Sequence, residues 1–63
     1  MPIINLQILE GRPESKVKSL ISALTDATSE HLEVPKERVR VIVQEIPQSR
    51  WAVGGEIMQD RKN

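Results

Sequence analysis

Two strand-like stretches flank a single helical stretch in this chain, and nothing else in it is long enough to cover them. The breaks fall at Glu10-Gly11-Arg12-Pro13 and at Val34-Pro35. Over residues 2–9, Ile4, Leu6 and Ile8 share one face, and Ile3, Asn5, Gln7 and Leu9 share the other, which predicts a strand. None of these residues is charged, whereas exposed edge strands usually carry charge that discourages pairing. Residues 39–46, VRVIVQEI, are β-branched and nearly continuous, the pattern of a strand covered on both sides. Between the two strands, Val17, Leu20, Ile21, Leu24, Thr28 and Leu32 recur at helical spacing with Ala23 and Ala27 beside them, predicting a helix from Pro13 to about Leu32. Pro13 suits the first helical position, where a missing N–H costs nothing. Glu14 suits the positive end of the helix dipole. Pro35 stops the pattern and pushes Val34 out of helical geometry.

A strand, a helix and a second strand normally form a right-handed crossover with the strands parallel. After the turn Pro47-Gln48-Ser49, the segment RWAVGGE reads as a short hairpin, with Gly54-Gly55 supplying the positive φ that primed turns need. Residues 59–63 are polar and are expected to fray. The expected fold is therefore α/β in the broad sense (α+β), a β-α-β unit with a C-terminal hairpin, forming one domain over residues 1–63. Such a unit cannot close a core. The helix covers one face of a two-stranded sheet, and the other face and both edges stay open. A domain of about 60 residues buries only ~60% of its unfolded surface, and small scaffolds usually need disulfides, a metal or oligomerisation. With no Cys and a single His, the first two supplements are missing. Partner subunits remain, and pairing two copies would give a four-stranded sheet with two helices.

Nine Lys and Arg balance nine Asp and Glu. Zero net charge argues against nucleic acid or an anionic membrane as the main partner, since both favour a basic excess. The longest apolar run is far short of the ~20 residues that span a bilayer. The N-terminus, MPIINLQILEGR, lacks the basic region of a signal peptide, so a cytoplasmic location is expected.

Four residues could carry chemistry. Methionine is generally trimmed before a small second residue, which would turn Pro2 into an N-terminal secondary amine. Nearby cations and a desolvated pocket would disfavour its charged form, and a base poised near neutrality suits general acid–base catalysis. Pro2 could equally be a strand opener, where a missing N–H is harmless. Arg12 follows the first strand at the end where α/β units place ligand groups, or it is a solvated loop arginine. Arg40 interrupts an aliphatic strand, where a lone charge is costly unless it is paired or faces a site. It could also open the strand toward solvent, or pair with Glu45 or Glu10. Trp51 is the only aromatic residue, either a core cap or an apolar wall for a ligand. His31, near the helix end, suits the C-terminal carbonyls. No P-loop, dinucleotide fingerprint, GxSxG or HExxH pattern is present.

Met1-Pro2, Leu9-Glu10-Gly11-Arg12, Val39-Arg40-Val41-Ile42, Trp51 and Gly54-Gly55-Glu56 occur in this order, and together they resemble the 4-oxalocrotonate tautomerase family across essentially the whole chain. The resemblance implies a β-α-β subunit, commonly assembled as a homohexamer built from three dimers, with active sites shared between subunits. It implies that Pro2 is the catalytic residue, that Arg12 and Arg40 bind substrate, and that Trp51 is the aromatic pocket residue. One departure stands out: the best-known members carry Phe followed by Gly, where this chain has Trp51 and Ala52. A bulkier wall and a stiffer hairpin would change the preferred substrate size.

The implied reaction is keto–enol tautomerisation of a small 2-hydroxydienoate or 2-oxo acid such as 2-hydroxymuconate. Pro2 would relay the proton, Arg40 would hold the 2-oxo carboxylate end and stabilise charge on oxygen, and Arg12 would hold a second carboxylate. The resemblance implies no metal or organic cofactor, because the proton moves within one substrate. Two alternatives stand beside it. One is a sister proline-based hydratase, dehalogenase or decarboxylase, which would need an acid to activate water, with Glu10 and Glu45 as the carboxylates at hand. The other is a non-catalytic oligomer that binds a small carboxylate.

Overall fold

A computed structural model describes residues 1–60 of the chain. In order, it contains strand β1 (Ile3–Leu9), helix α1 (Glu14–Leu32), strand β2 (Arg40–Ile46), and the short strands β3 (Ala52–Val53) and β4 (Glu56–Ile57). Single 3-10 turns lie at Lys36–Arg38, Gln48–Arg50 and Met58–Asp60. Of residues 59–63, expected to fray, Gln59 and Asp60 belong to the turn Met58–Asp60, and the rest lie outside the described residues.

The strands pair parallel as expected, with Ile3 beside Arg40 and Leu9 beside Ile46. The ladder continues past both ends. The Arg40 N–H donates to the Pro2 carbonyl at 3.0 Å, and the Glu10 N–H donates to the Ile46 carbonyl at 2.9 Å. The hairpin pairs Ala52 with Ile57 and Val53 with Glu56 in antiparallel register. Its turn places Gly54 at φ 60° and Gly55 at φ 86°, the two positive values that a type I′ turn requires.

Pro13 lies one residue before the helix, at φ −58° and ψ 143°, rather than at the first helical position. Its carbonyl accepts from the Lys16 and Val17 N–H groups, so it serves as the cap residue with no side-chain oxygen to offer. At the other end Glu33 adopts the left-handed conformation at φ 55°, a geometry that usually falls to glycine. There the Val34 N–H returns to the Ser29 carbonyl and the Ser29 hydroxyl donates to the Val34 carbonyl at 2.5 Å. Lys36 pairs with Asp26 of α1 at 2.9 Å; this hydrogen bond raises the lysine pKa, but both groups are well exposed and the pair adds little stability.

The helix stripe is narrower than its spacing predicts. Val17 is buried, and Ile21, Leu24, Thr25, Thr28 and Ser29 are half-buried, but Leu20 and Leu32 are exposed. A helix about 10 Å wide lies here on a sheet only two strands, or ~5 Å between axes, across. Only the centre of the stripe finds cover. The two half-buried threonines bond back to their own helix, Thr25 to the Ile21 carbonyl at 2.8 Å and Thr28 to the Leu24 carbonyl at 2.7 Å.

Ile4, Leu6 and Ile8 of β1 and Val41 and Val43 of β2 are half-buried in the same alternation, while Ile3 and Ile42 remain 56% and 49% exposed. Within one chain β2 is therefore covered on one face, not two. Val17 and Val39 are the only buried hydrophobic residues among the described ones. The chain exposes 5119 Å², against ~4,100 Å² expected for a compact monomer of this mass. Its radius of gyration is 14.8 Å, against ~10.6 Å for a globular chain of this length. The excess of about 1,000 Å² is close to what one partner contributes to a standard protein interface.

Candidate active site

Because β1 and β2 are parallel, their like ends meet, and this decides which candidate residues come together. Pro2 and Arg40 lie side by side where the strands begin, joined by the 3.0 Å hydrogen bond from the Arg40 N–H to the Pro2 carbonyl. Met1 is 76% exposed there, and Pro2 is half-buried. The first residue of β2, Arg40 is itself exposed. Its guanidinium bends back, Nη1 donating to the Glu37 carbonyl at 2.7 Å. One of its five donors is thereby used, and the planar group is held by the 3-10 turn Lys36–Arg38. Arg40 thus opens β2 from an exposed position. A pairing with Glu10 is ruled out by position, since Glu10 follows the far end of β1.

Arg12 and Trp51 lie at that far end. Gly11 at φ 117° turns the chain out of β1, a left-handed value that glycine tolerates. Arg12 then reaches back, Nη1 donating to the Leu9 carbonyl at 3.2 Å, with its side chain otherwise exposed. Trp51 follows the 3-10 turn Gln48–Arg50 and is half-buried. Its carbonyl accepts the Met58 N–H at 2.6 Å, which closes the hairpin around it.

A cleft of about 450 Å³ opens at this end, lined by Gln7, Ile46, Arg50, Trp51 and Ala52. Its size is ordinary for a small-molecule site. Trp51 is thus a wall of a cleft rather than only a cap on the core. Gln7 is held in place by its amide, which donates to Gln44 Oε1 at 3.0 Å across the open face of the sheet. Arg50 was not singled out by sequence reasoning. It sits in a turn signal beside Pro47, and only the folded arrangement places its side chain on the cleft. Among the described residues, no group of three His, Asp or Glu side chains is placed to hold a metal ion.

The seven residues of β1 separate the two ends. At about 3.3 Å per residue they hold Pro2 and Arg40 roughly 20 Å or more from Arg12 and Trp51. One chain therefore brings Pro2 to Arg40 and Arg12 to the neighbourhood of Trp51, but does not bring the four together.

The tautomerase enzyme family matches residues 2–61. The chain is 46% identical over 56 residues to a 2-hydroxymuconate tautomerase of Pseudomonas putida, covering 89% of each sequence. Its fold superposes with a TM-score of 0.92 on a heterohexamer 4-oxalocrotonate tautomerase from Chloroflexus aurantiacus, at 35% identity over 98% of this chain and all of that one. It is also similar to TomN, a 4-oxalocrotonate tautomerase homologue of the tomaymycin biosynthetic pathway, with a TM-score of 0.91 and 48% identity over 95% of this chain and 92% of that one.

Proposed function

From the premise that the chain belongs to the tautomerase family of isomerases, we propose that it interconverts the enol and keto forms of a small 2-hydroxydienoate such as 2-hydroxymuconate, with Pro2 as the proton carrier. The observation that carries this reading is the adjacency of Pro2 and Arg40 at the start of the paired strands. Removal of the exposed Met1 leaves Pro2 a secondary amine on the strand next to the one that Arg40 opens. The neutral amine takes the proton of the 2-hydroxyl group and returns it to a carbon of the conjugated chain, giving the 2-oxo acid. Arg40 binds the carboxylate at that end and stabilises the charge that builds on oxygen as the O–H bond breaks. Arg12 binds the carboxylate at the other end of a dicarboxylate, and Trp51 excludes water from the amine. The similarity to the Pseudomonas putida enzyme favours 2-hydroxymuconate as the first substrate to try. The similarity to TomN keeps other small enols in view.

The site is shared between copies in this proposal. The uncharged strand β1 is the edge better suited to pairing, since β2 carries Arg40 and Glu45. Two identical edges related by a two-fold axis pair antiparallel. That arrangement carries the Pro2 end of one chain to the Arg12 and Trp51 end of the other and builds two equal sites per dimer. The open faces, with Ile3 and Ile42 exposed, then drive association of dimers into a homohexamer in the cytoplasm.

The test follows 2-hydroxymuconate by ultraviolet absorbance, using protein verified by mass to lack Met1 and protein that retains it. The processed form should turn over the dienol, and the retained form should not, because an amide nitrogen cannot accept the proton. Equal rates in the two forms would eliminate Pro2 as the base.

A further inference from the structure

We propose that Arg50 is a specificity-determining residue of the Trp51 cleft: its guanidinium takes a carboxylate on the far end of a flat, conjugated acid whose body lies against the indole. The inference rests on the tautomerase reading of the cleft as the place the substrate enters. Of the five residues lining the cleft, Arg50 is the only charged one. Ile46 and Ala52 are apolar, and the Gln7 amide is engaged by Gln44. Among the described residues, no carboxylate stands within ion-pair distance of Arg50. Its Nη1 donates to the carbonyl of its neighbour Ser49 at 3.2 Å, one of five guanidinium donors, and the residue is exposed.

The position of this charge is fixed by the backbone. Pro47 opens the 3-10 turn, and the Arg50 N–H closes it on the Pro47 carbonyl at 2.9 Å, so the guanidinium is presented from a short, constrained loop next to the indole. A planar cation beside an aromatic wall fits a carboxylate attached to a flat body, because a guanidinium binds a carboxylate through two parallel hydrogen bonds. Arg12 lies at the same end of the sheet, but it is not part of the cleft lining, and its Nη1 is turned to the Leu9 carbonyl. Arg50 is therefore the cation that meets a ligand in the cleft, and it shares recognition of a distal carboxylate with Arg12.

The experiment compares two unreactive ligands of the same shape, trans,trans-muconate and sorbate, in which a methyl group replaces one carboxylate. Dissociation constants are measured by titration calorimetry on the assembled, processed protein and on Arg50→Ala and Arg50→Lys. The parent should prefer muconate over sorbate. Arg50→Ala should reduce that preference by roughly 10-fold or more, the usual worth of a hydrogen bond to a charged group, and Arg50→Lys should restore part of it. A parent with no preference, a preference unchanged in Arg50→Ala, or an equal loss of both ligands would each overturn the assignment. Turnover of 2-hydroxymuconate by the parent is scored separately. A parent that shows the Arg50-dependent preference but no turnover refutes the tautomerase reading and leaves the anion site standing.

Discussion

Where β1 and β2 begin, Pro2 and Arg40 sit side by side on adjacent strands, whereas where both strands finish lie Arg12, Arg50 and the indole of Trp51. The first end offers the group that could carry a proton and a cation to steady the oxygen that loses it. The second offers an apolar wall and cations suited to holding the rest of a ligand. A strand of seven residues lies between them. In a larger α/β protein, loops from several strands would converge on one end of the sheet. A chain with only two long strands has too few loops for that, so, in the proposed reaction, chemistry and recognition fall at opposite ends, and a complete site requires the assembly.

The largest expected effect belongs to the first end. Pro2→Ala keeps an amine, but a primary and less constrained one, and should lower kcat roughly 10²- to 10⁴-fold, the range for a positioned general base. In the processed parent, activity should rise with pH as the neutral amine appears, and a stopped-flow pH profile reads this directly. A flat profile would separate Pro2 from the proton transfer.

A mixing experiment tests the separation of the two ends. Pro2→Ala and Arg12→Ala chains, each impaired alone on a dicarboxylate, should recover activity when unfolded together and reassembled. If each site takes Pro2 from one chain and Arg12 from its two-fold mate, random mixing of equal amounts restores about one quarter of the sites. No recovery, with mixed oligomers verified by native mass spectrometry, would place both groups of one site in a single chain.

The arginines should divide along the same line. Arg40→Ala should lower kcat for dicarboxylate and monocarboxylate substrates alike, by roughly 10- to 100-fold if it stabilises developing charge. Arg12→Ala should chiefly raise KM for the dicarboxylate. Matching small effects on 2-hydroxymuconate and phenylenolpyruvate from both variants would erase the distinction between the ends.

Much of this comparison was legible before the fold was known. The period of two in residues 3–9, the helical spacing from Val17 to Thr28 and the two proline breaks place β1, α1 and β2 within a residue or two. Parallel pairing follows from the crossover, and it alone puts Pro2 next to Arg40. What local pattern could not supply depends on width and on three-dimensional neighbours. Leu20 and Leu32 obey the helix period yet stay exposed, because the sheet beneath them is too narrow. Glu33 stands where a glycine would announce the end of the helix, so the cap is invisible in the residue types. Arg50 reads as part of a turn, and only the fold shows that this turn brings a cation onto the same cleft as Trp51, Gln7 and Ile46, two of which lie on different strands.

The smallest expected effect concerns the wall itself. Trp51 is half-buried and lines the cleft together with Ala52, so shortening its side chain should change how a ligand body packs without touching Pro2, the proposed proton carrier. Aromatic contacts contribute about 0.5–1.5 kcal/mol beyond their buried area. Trp51→Phe should therefore shift KM by roughly twofold to tenfold and favour one size of enol over another. The two ends are independent in this respect only if the pH dependence of kcat stays where it is in the parent. A midpoint that moved in Trp51→Phe, measured on the same substrate, would mean that the wall reaches the Pro2 amine of the same site. Recognition and chemistry would then be coupled through desolvation rather than divided by the length of β1.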